Sequence, residues 1–165
     1  MQVIATDVLD TKEKMVNMAQ EQLKKPGFAI DPYFYRSHVT YQSELEHIIF
    51  KSWLYAGHVS QIPNKGDYFL FDIGEDSIII CRDRKEEIHA MHNMCRHRGA
   101  RVCEEPSGNC RVFVCPYHGW GYALDGTLKA ARDMRDVEGF NFEDYGLLHV
   151  RMEIFQGMIL SLIHI

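Results

Sequence analysis

Apolar and polar residues follow two rhythms along the chain, helical before Pro63 and alternating after it. In the charged run from Thr11 to Lys25, Met15, Met18, Ala19 and Gln22 fall near helical spacing. Asp10 stands where a cap belongs, and Pro26-Gly27 ends the run. The pattern predicts a short amphipathic helix. A second helix is expected over Gln42 to Lys51, with Leu45, Ile48 and Ile49 on one face, leading into Trp53-Leu54-Tyr55. Beyond Pro63, residues 67–73, 77–82 and 87–93 read as three short strands. They are separated by turns at Gly74-Glu75-Asp76 and Asp83-Arg84-Lys85. Two further runs, 111–115 and 121–123, flank a segment rich in unusual side chains. Leu124-Asp125-Gly126-Thr127 reads as a turn, and 147–154 and 157–160 as closing strands. The expected fold is mainly β, with antiparallel sheets preceded by a helical N-terminal arm.

Composition narrows the setting without changing that picture. A chain of 165 residues can bury one good core and carry an arm. Its apolar and charged fractions are ordinary for a globular domain, and a net charge of -5 argues against a nucleic-acid partner. No apolar run approaches the roughly 18 residues of a membrane span. The first residues carry Asp7 and Asp10 without a basic stretch, which does not read as a signal peptide, so a cytoplasmic address is expected.

Two short motifs carry the chemistry: Cys95-Arg96-His97 and Cys115-Pro116-Tyr117-His118, with residues 98–114 between them. Each supplies one soft thiolate and one borderline imidazole, a pairing better suited to two metal ions in different surroundings than to one. A [2Fe-2S] cluster suits such a set, with cysteines on one iron and histidines on the other. A structural zinc site repeats Cys pairs and His pairs with at least two residues between members, and the single residue between Cys95 and His97 fits that poorly. A Cys95–Cys115 disulfide is out of place in a chain without a secretory signal. Gly99 and Gly119 follow the motifs where backbone approaches an inorganic core. Tyr117 and Trp120 are placed to cover it, or are plain core aromatics.

The stretches Asn93 to Arg101 and Val114 to Gly126, including Cys115-Pro116-Tyr117-His118-Gly119-Trp120 and Leu124-Asp125-Gly126, resemble the Rieske domain of the large subunit of Rieske non-haem iron oxygenases. The likeness runs from about Tyr33 to Leu160. It implies a Rieske [2Fe-2S] domain with two cluster-binding loops over residues 61–160, after an arm of residues 1–60. It also implies that Cys95 and Cys115 ligate one iron and His97 and His118 the other. Proteins of the cytochrome bc1 type carry an extra cysteine in each loop; Ala100 and Tyr117 stand there, so the chain resembles the lower-potential oxygenase and ferredoxin branch. The family implies a reductase or ferredoxin donor and a homotrimer. It implies electron delivery to a mononuclear Fe(II) in a further domain, where oxygen is activated, making the chain part of an oxidoreductase. The segments 53–63, 77–83 and 95–103 look most like subunits acting on quaternary ammonium compounds such as glycine betaine, choline or carnitine. Aromatic-ring dioxygenases are the runner-up, and a free-standing Rieske ferredoxin or a zinc-stabilised binding module are the other classes.

The remaining chemistry-bearing residues take plainer readings. Cys103 and Cys110 are expected as thiols near the loops, and Cys81 as a small core residue. His89 and His92 read as structural, and His38, His47 and His58 lack ligand spacing. Arg96, Arg98 and Arg101 either dock an acidic carrier or form a solvated face. After His118 only His149 and His164 remain, and neither reads as a ligand of a two-His, one-carboxylate iron. Residues 161–165 are expected to mark a truncation or a foreign tail.

Overall fold

The computed structural model describes residues 9–132, 134 and 136–163. The chain falls into two units, Met1–Ser52 and Trp53–Ile165.

The first unit holds α1 (Lys12–Leu23) and α2 (His38–His47), followed by a 3-10 turn at Ile49–Lys51. The cap of α1 is Thr11, whose Oγ1 accepts Lys14 N–H at 3.2 Å, and not Asp10 as expected. Asp10 serves α2 instead. Its Oδ1 accepts the hydroxyls of Ser37 at 2.7 Å and Tyr33 at 2.8 Å, while Oδ2 accepts Val39 N–H at 3.1 Å. A carboxylate there also suits the positive end of the helix. Helix α2 begins earlier than its apolar residues suggest, because Ser37 Oγ accepts Thr40 N–H and caps it. It also ends earlier, at Ile48, whose φ and ψ of -121° and -63° leave the helix. The expected common face therefore splits: Leu45 is buried and Ile48 is 59% exposed.

Among the described residues of the second unit, ten strands form three antiparallel sheets. They are β1 (Leu54–His58), β2 (Asp67–Ile73), β3 (Asp76–Arg82), β4 (Ile88–His92) and β5 (Ser107–Asn109), then β6 (Phe113–Val114), β7 (Gly121–Tyr122), β8 (Leu128–Ala130), β9 (Arg151–Phe155) and β10 (Met158–Leu162). The sheet orders are β1-β10-β9, β4-β3-β2-β5 and β6-β7-β8. Hairpin β2–β3 turns through Gly74, at φ +58°, so that Ile73 pairs with Asp76.

Strand β3 shows why an unbroken apolar run belongs here. Ile79 and Cys81 join a core with Met91, Trp120, Tyr122 and Leu124, whereas Ile78 and Ile80 join a second core with Phe69, Ala90 and Ile159. Successive side chains point to opposite faces, so this sheet is a wall with a core on each side. The first core carries both motifs.

Several expectations need correcting. Residues 54–58, assigned to the helical arm, are a strand paired with β10. Strands β5 and β8 were not foreseen, since Ser107-Gly108-Asn109 has turn composition. The strand expected from Leu147 starts at Arg151. Ser161 and Leu162, expected in a tail, end β10, and Ser161 is buried. His164 and Ile165 lie outside the described residues. No helix among the described residues is long and apolar enough to cross a membrane.

Candidate metal centre

Both motif loops leave the rigid sheets by short routes. The first follows β4 directly, and the second is the tip of hairpin β6–β7. They close identically. Cys95 N–H donates to Ala100 O at 2.8 Å and Gly99 N–H to Cys95 O at 2.9 Å; Cys115 N–H donates to Trp120 O at 2.8 Å and Gly119 N–H to Cys115 O at 3.0 Å. Gly99 and Gly119 have φ of +73° and +70°, and no protein atom lies within 4 Å of where a Cβ would stand. The left-handed backbone is therefore what asks for glycine at these two positions.

The loops bring the two cysteines together and the two histidines together. Cys95 and Cys115 are both buried. Burial pushes the Cys115 thiol up and the neighbouring Cys95 sulfur adds to this, while the backbone N–H groups of Tyr117 and His118, aimed at the sulfur, oppose it. The rings of His97 and His118 meet edge to face with centroids 4.6 Å apart. His97 lies flat on Trp120 at 4.8 Å, and Tyr117, 60% exposed, lies against His118 at 3.8 Å. Burial first, then His118 and Arg98, hold the His97 imidazole below its ordinary pKa.

Two observations test whether the donors suit a two-iron group. His97 Nδ1 is buried without a hydrogen-bond partner, a costly arrangement unless the nitrogen binds something else. The second is the pairing itself: sulfur beside sulfur and imidazole beside imidazole give two unlike donor pairs, which suit the two irons of [2Fe-2S].

These observations agree with comparison to known proteins. The family model for the Rieske [2Fe-2S] domain matches residues 52–141. The chain belongs to the Rieske [2Fe-2S] family, whose members bind that cluster. It is 39% identical over 133 residues to the biphenyl 2,3-dioxygenase subunit alpha of Rhodococcus jostii, covering 80% of this chain and 29% of that protein. With the glycine betaine monooxygenase oxygenase subunit of Pseudomonas aeruginosa it shares 35% identity over 133 residues, covering 81% of this chain and 31% of that protein. Among solved structures, naphthalene 1,2-dioxygenase from Rhodococcus sp. bound to indole matches with TM-score 0.80 at 29% identity, over 93% of this chain and 36% of the other. The quaternary ammonium Rieske monooxygenase CntA in complex with L-carnitine matches with TM-score 0.71 at 32% identity, over 78% and 37%. The chain thus spans about three-tenths of the length of these curated relatives.

Sequence reasoning overlooked two residues of this candidate site. Tyr122 Oη lies 3.2 Å from Cys95 Sγ and accepts Arg96 N–H at 3.1 Å. Burial, then the Cys95 sulfur, raise this phenol's pKa, so it keeps its proton. Asn93 ties the ends of the first loop together. Its position beside the motif was visible; its bonds were not.

The other candidates lie apart from the loops' chemistry or support it indirectly. His89 Nε2 sits 3.2 Å from Asp83 Oδ2, while Asp83 Oδ1 accepts Lys85 and Glu87 N–H, which makes this group the clamp of the β3–β4 turn. His149 Nε2 is 3.1 Å from the Asp125 carbonyl. Cys81 S–H reaches Leu124 O at 3.1 Å, and burial pushes the Cys103 thiol up to about 12. None of the five cysteines forms a disulfide. Arg101 approaches Asp72 at 3.7 Å, Arg98 is exposed, and Arg96 Nε is buried without a partner.

Proposed function

We propose that this chain is the electron-transfer domain of a Rieske-type oxygenase subunit, with Cys95 and Cys115 on one iron and His97 and His118 on the other. The supporting observation is the pair of identically closed loops, which present the cysteines as one set and the histidines as another. When bound, a [2Fe-2S] cluster supplies a one-electron acceptor and donor. The protein's own residues do the rest. Backbone N–H groups aim at Cys115, Tyr122 O–H faces Cys95, and Trp120 and Tyr117 lie against the histidine rings and orient them. The histidine edge beside exposed Tyr117 is the exit and entry point for the electron.

The parent protein takes electrons from a reductase or ferredoxin in the cytoplasm and works as a homotrimer. It passes them to a mononuclear Fe(II) for hydroxylation or N-demethylation of a small organic substrate. The Rieske domain takes in β1 and so begins before residue 61, and the helical segment ahead of it is an arm. A quaternary ammonium substrate is supported by likeness to the glycine betaine and carnitine enzymes. An aromatic substrate is the second reading, favoured by 39% identity to a biphenyl dioxygenase subunit. Anaerobic titration with dithionite tests the electron-transfer claim. One electron per chain is expected, with the uptake lost in Cys95→Ser and His118→Ala because ligand loss prevents metal binding. Full uptake in either variant would overturn the assignment.

A further inference from the structure

The first loop is entered and closed at one side chain. Asn93 follows β4 immediately and is 3% exposed. Its Oδ1 accepts the N–H groups of Val102 at 2.9 Å and Cys103 at 2.8 Å. Its Nδ2 donates to Cys103 O at 2.7 Å and Ser77 Oγ at 3.1 Å, and its backbone N–H donates to Ser77 O at 2.8 Å. The amide thus uses both lone pairs and both protons. A buried amide so saturated accepts only one orientation, because turning it would leave several groups unpaired at once. Through Ser77 it also fastens the loop to β3, the central wall between the two cores. The second loop is carried differently, on the two-residue strands β6 and β7, with Val114 and Tyr117 at the surface.

We propose that Asn93 is the positioning residue of the metal centre. Its side chain, independently of any metal, fixes the first loop in its place on β3. It thereby keeps Cys95 within reach of Tyr122 Oη and His97 flat on Trp120. This rests on the ligand assignment proposed above. Released from Asn93, the loop retains its own turn bonds but loses its place on β3, so Cys95 moves from the phenol and the negative charge at its sulfur loses a donor.

The test compares wild type with Asn93→Ala in the full, cluster-loaded chain. Asn93→Ala is expected to shift the g values of the reduced protein and lower its midpoint potential, with exchange of the Val102 and Cys103 amides about tenfold faster. A variant that merely melts earlier, with g values and potential unchanged, would make Asn93 a structural residue and overturn the proposal. Should Asn93→Ala not fold, amide exchange in wild type decides: Val102 and Cys103 must exchange more slowly than Gly119, and equal or faster exchange rejects the anchor. A wild-type chain without iron would instead defeat the electron-transfer reading, and the same exchange ratio would still decide for or against the anchor.

Discussion

Tyr122 shows how much one side chain adds to two short motifs. Because its oxygen already accepts Arg96 N–H, and burial keeps its proton in place, the hydroxyl is set to donate to Cys95 Sγ. A donor at a ligand sulfur stabilises the charge gained on reduction and raises the potential. Tyr122→Phe should keep its iron and sulfide but show a lower midpoint potential, by roughly 60 mV if the bond is worth about 1.4 kcal/mol. An unchanged potential in an optically monitored titration would remove Tyr122 from the site. The spare cysteines argue the opposite way. Cys103 and Cys110 lie outside the two closed turns, and the backbone of Cys103 is held by Asn93, so neither is placed as a ligand. The double change Cys103→Ser, Cys110→Ser should leave the visible spectrum intact, and its loss would mean that the wrong thiols had been assigned. The motif residues were legible because their chemistry is local. Tyr122 was not, since a residue of the second loop's return strand crosses to the first loop.

Among the elements, strands were read more faithfully than helix ends. Strand β2 begins and ends where alternation placed it, because one residue pattern serves both its faces and glycine marks its turn. The helices depended on caps, and there competing polar side chains misled. Asp10 is adjacent to α1 yet accepts from Ser37 and Val39 at the start of α2, a partnership across residues 10–39 that no local pattern reveals. Its consequence is measurable. Hydrogen bonds, that of Ser37 foremost, lower the Asp10 carboxyl from its ordinary 3.8 to about 2. A depressed carboxylate contributes stability that is complete above the unfolded pKa and lost as pH falls through the folded one. Between pH 3.8 and about 2 the Val39 amide resonance should therefore move in wild type as its acceptor protonates. In Asp10→Asn it should stay flat while the start of α2 frays. A resonance that moves equally in both proteins would show that Asp10 is not its acceptor.

At the scale of the molecule, the sequence conveyed the class and not the assembly. The Rieske character, the two loops and a mainly β body follow from residues close together in the chain. The pairing of β1 with β10 joins opposite ends of the second unit, and so turned residues 54–58 from arm into sheet. Short strands such as β6 and β7 exist because their hairpin is anchored in the core through Phe113, Trp120 and Tyr122, which propensity alone does not express. The whole arrangement sets β3, the wall between two cores, beneath the two motif loops, whose cysteines and histidines are proposed to serve as a sulfur pair and a nitrogen pair. That sorting is the central claim, and electron paramagnetic resonance of the dithionite-reduced, anaerobically purified protein tests it most directly, alongside iron, sulfide and zinc analysis. A signal with the low average g value of mixed histidine and cysteine ligation, at two irons and two sulfides per chain, is the expected result. A silent sample holding one zinc per chain would contradict it.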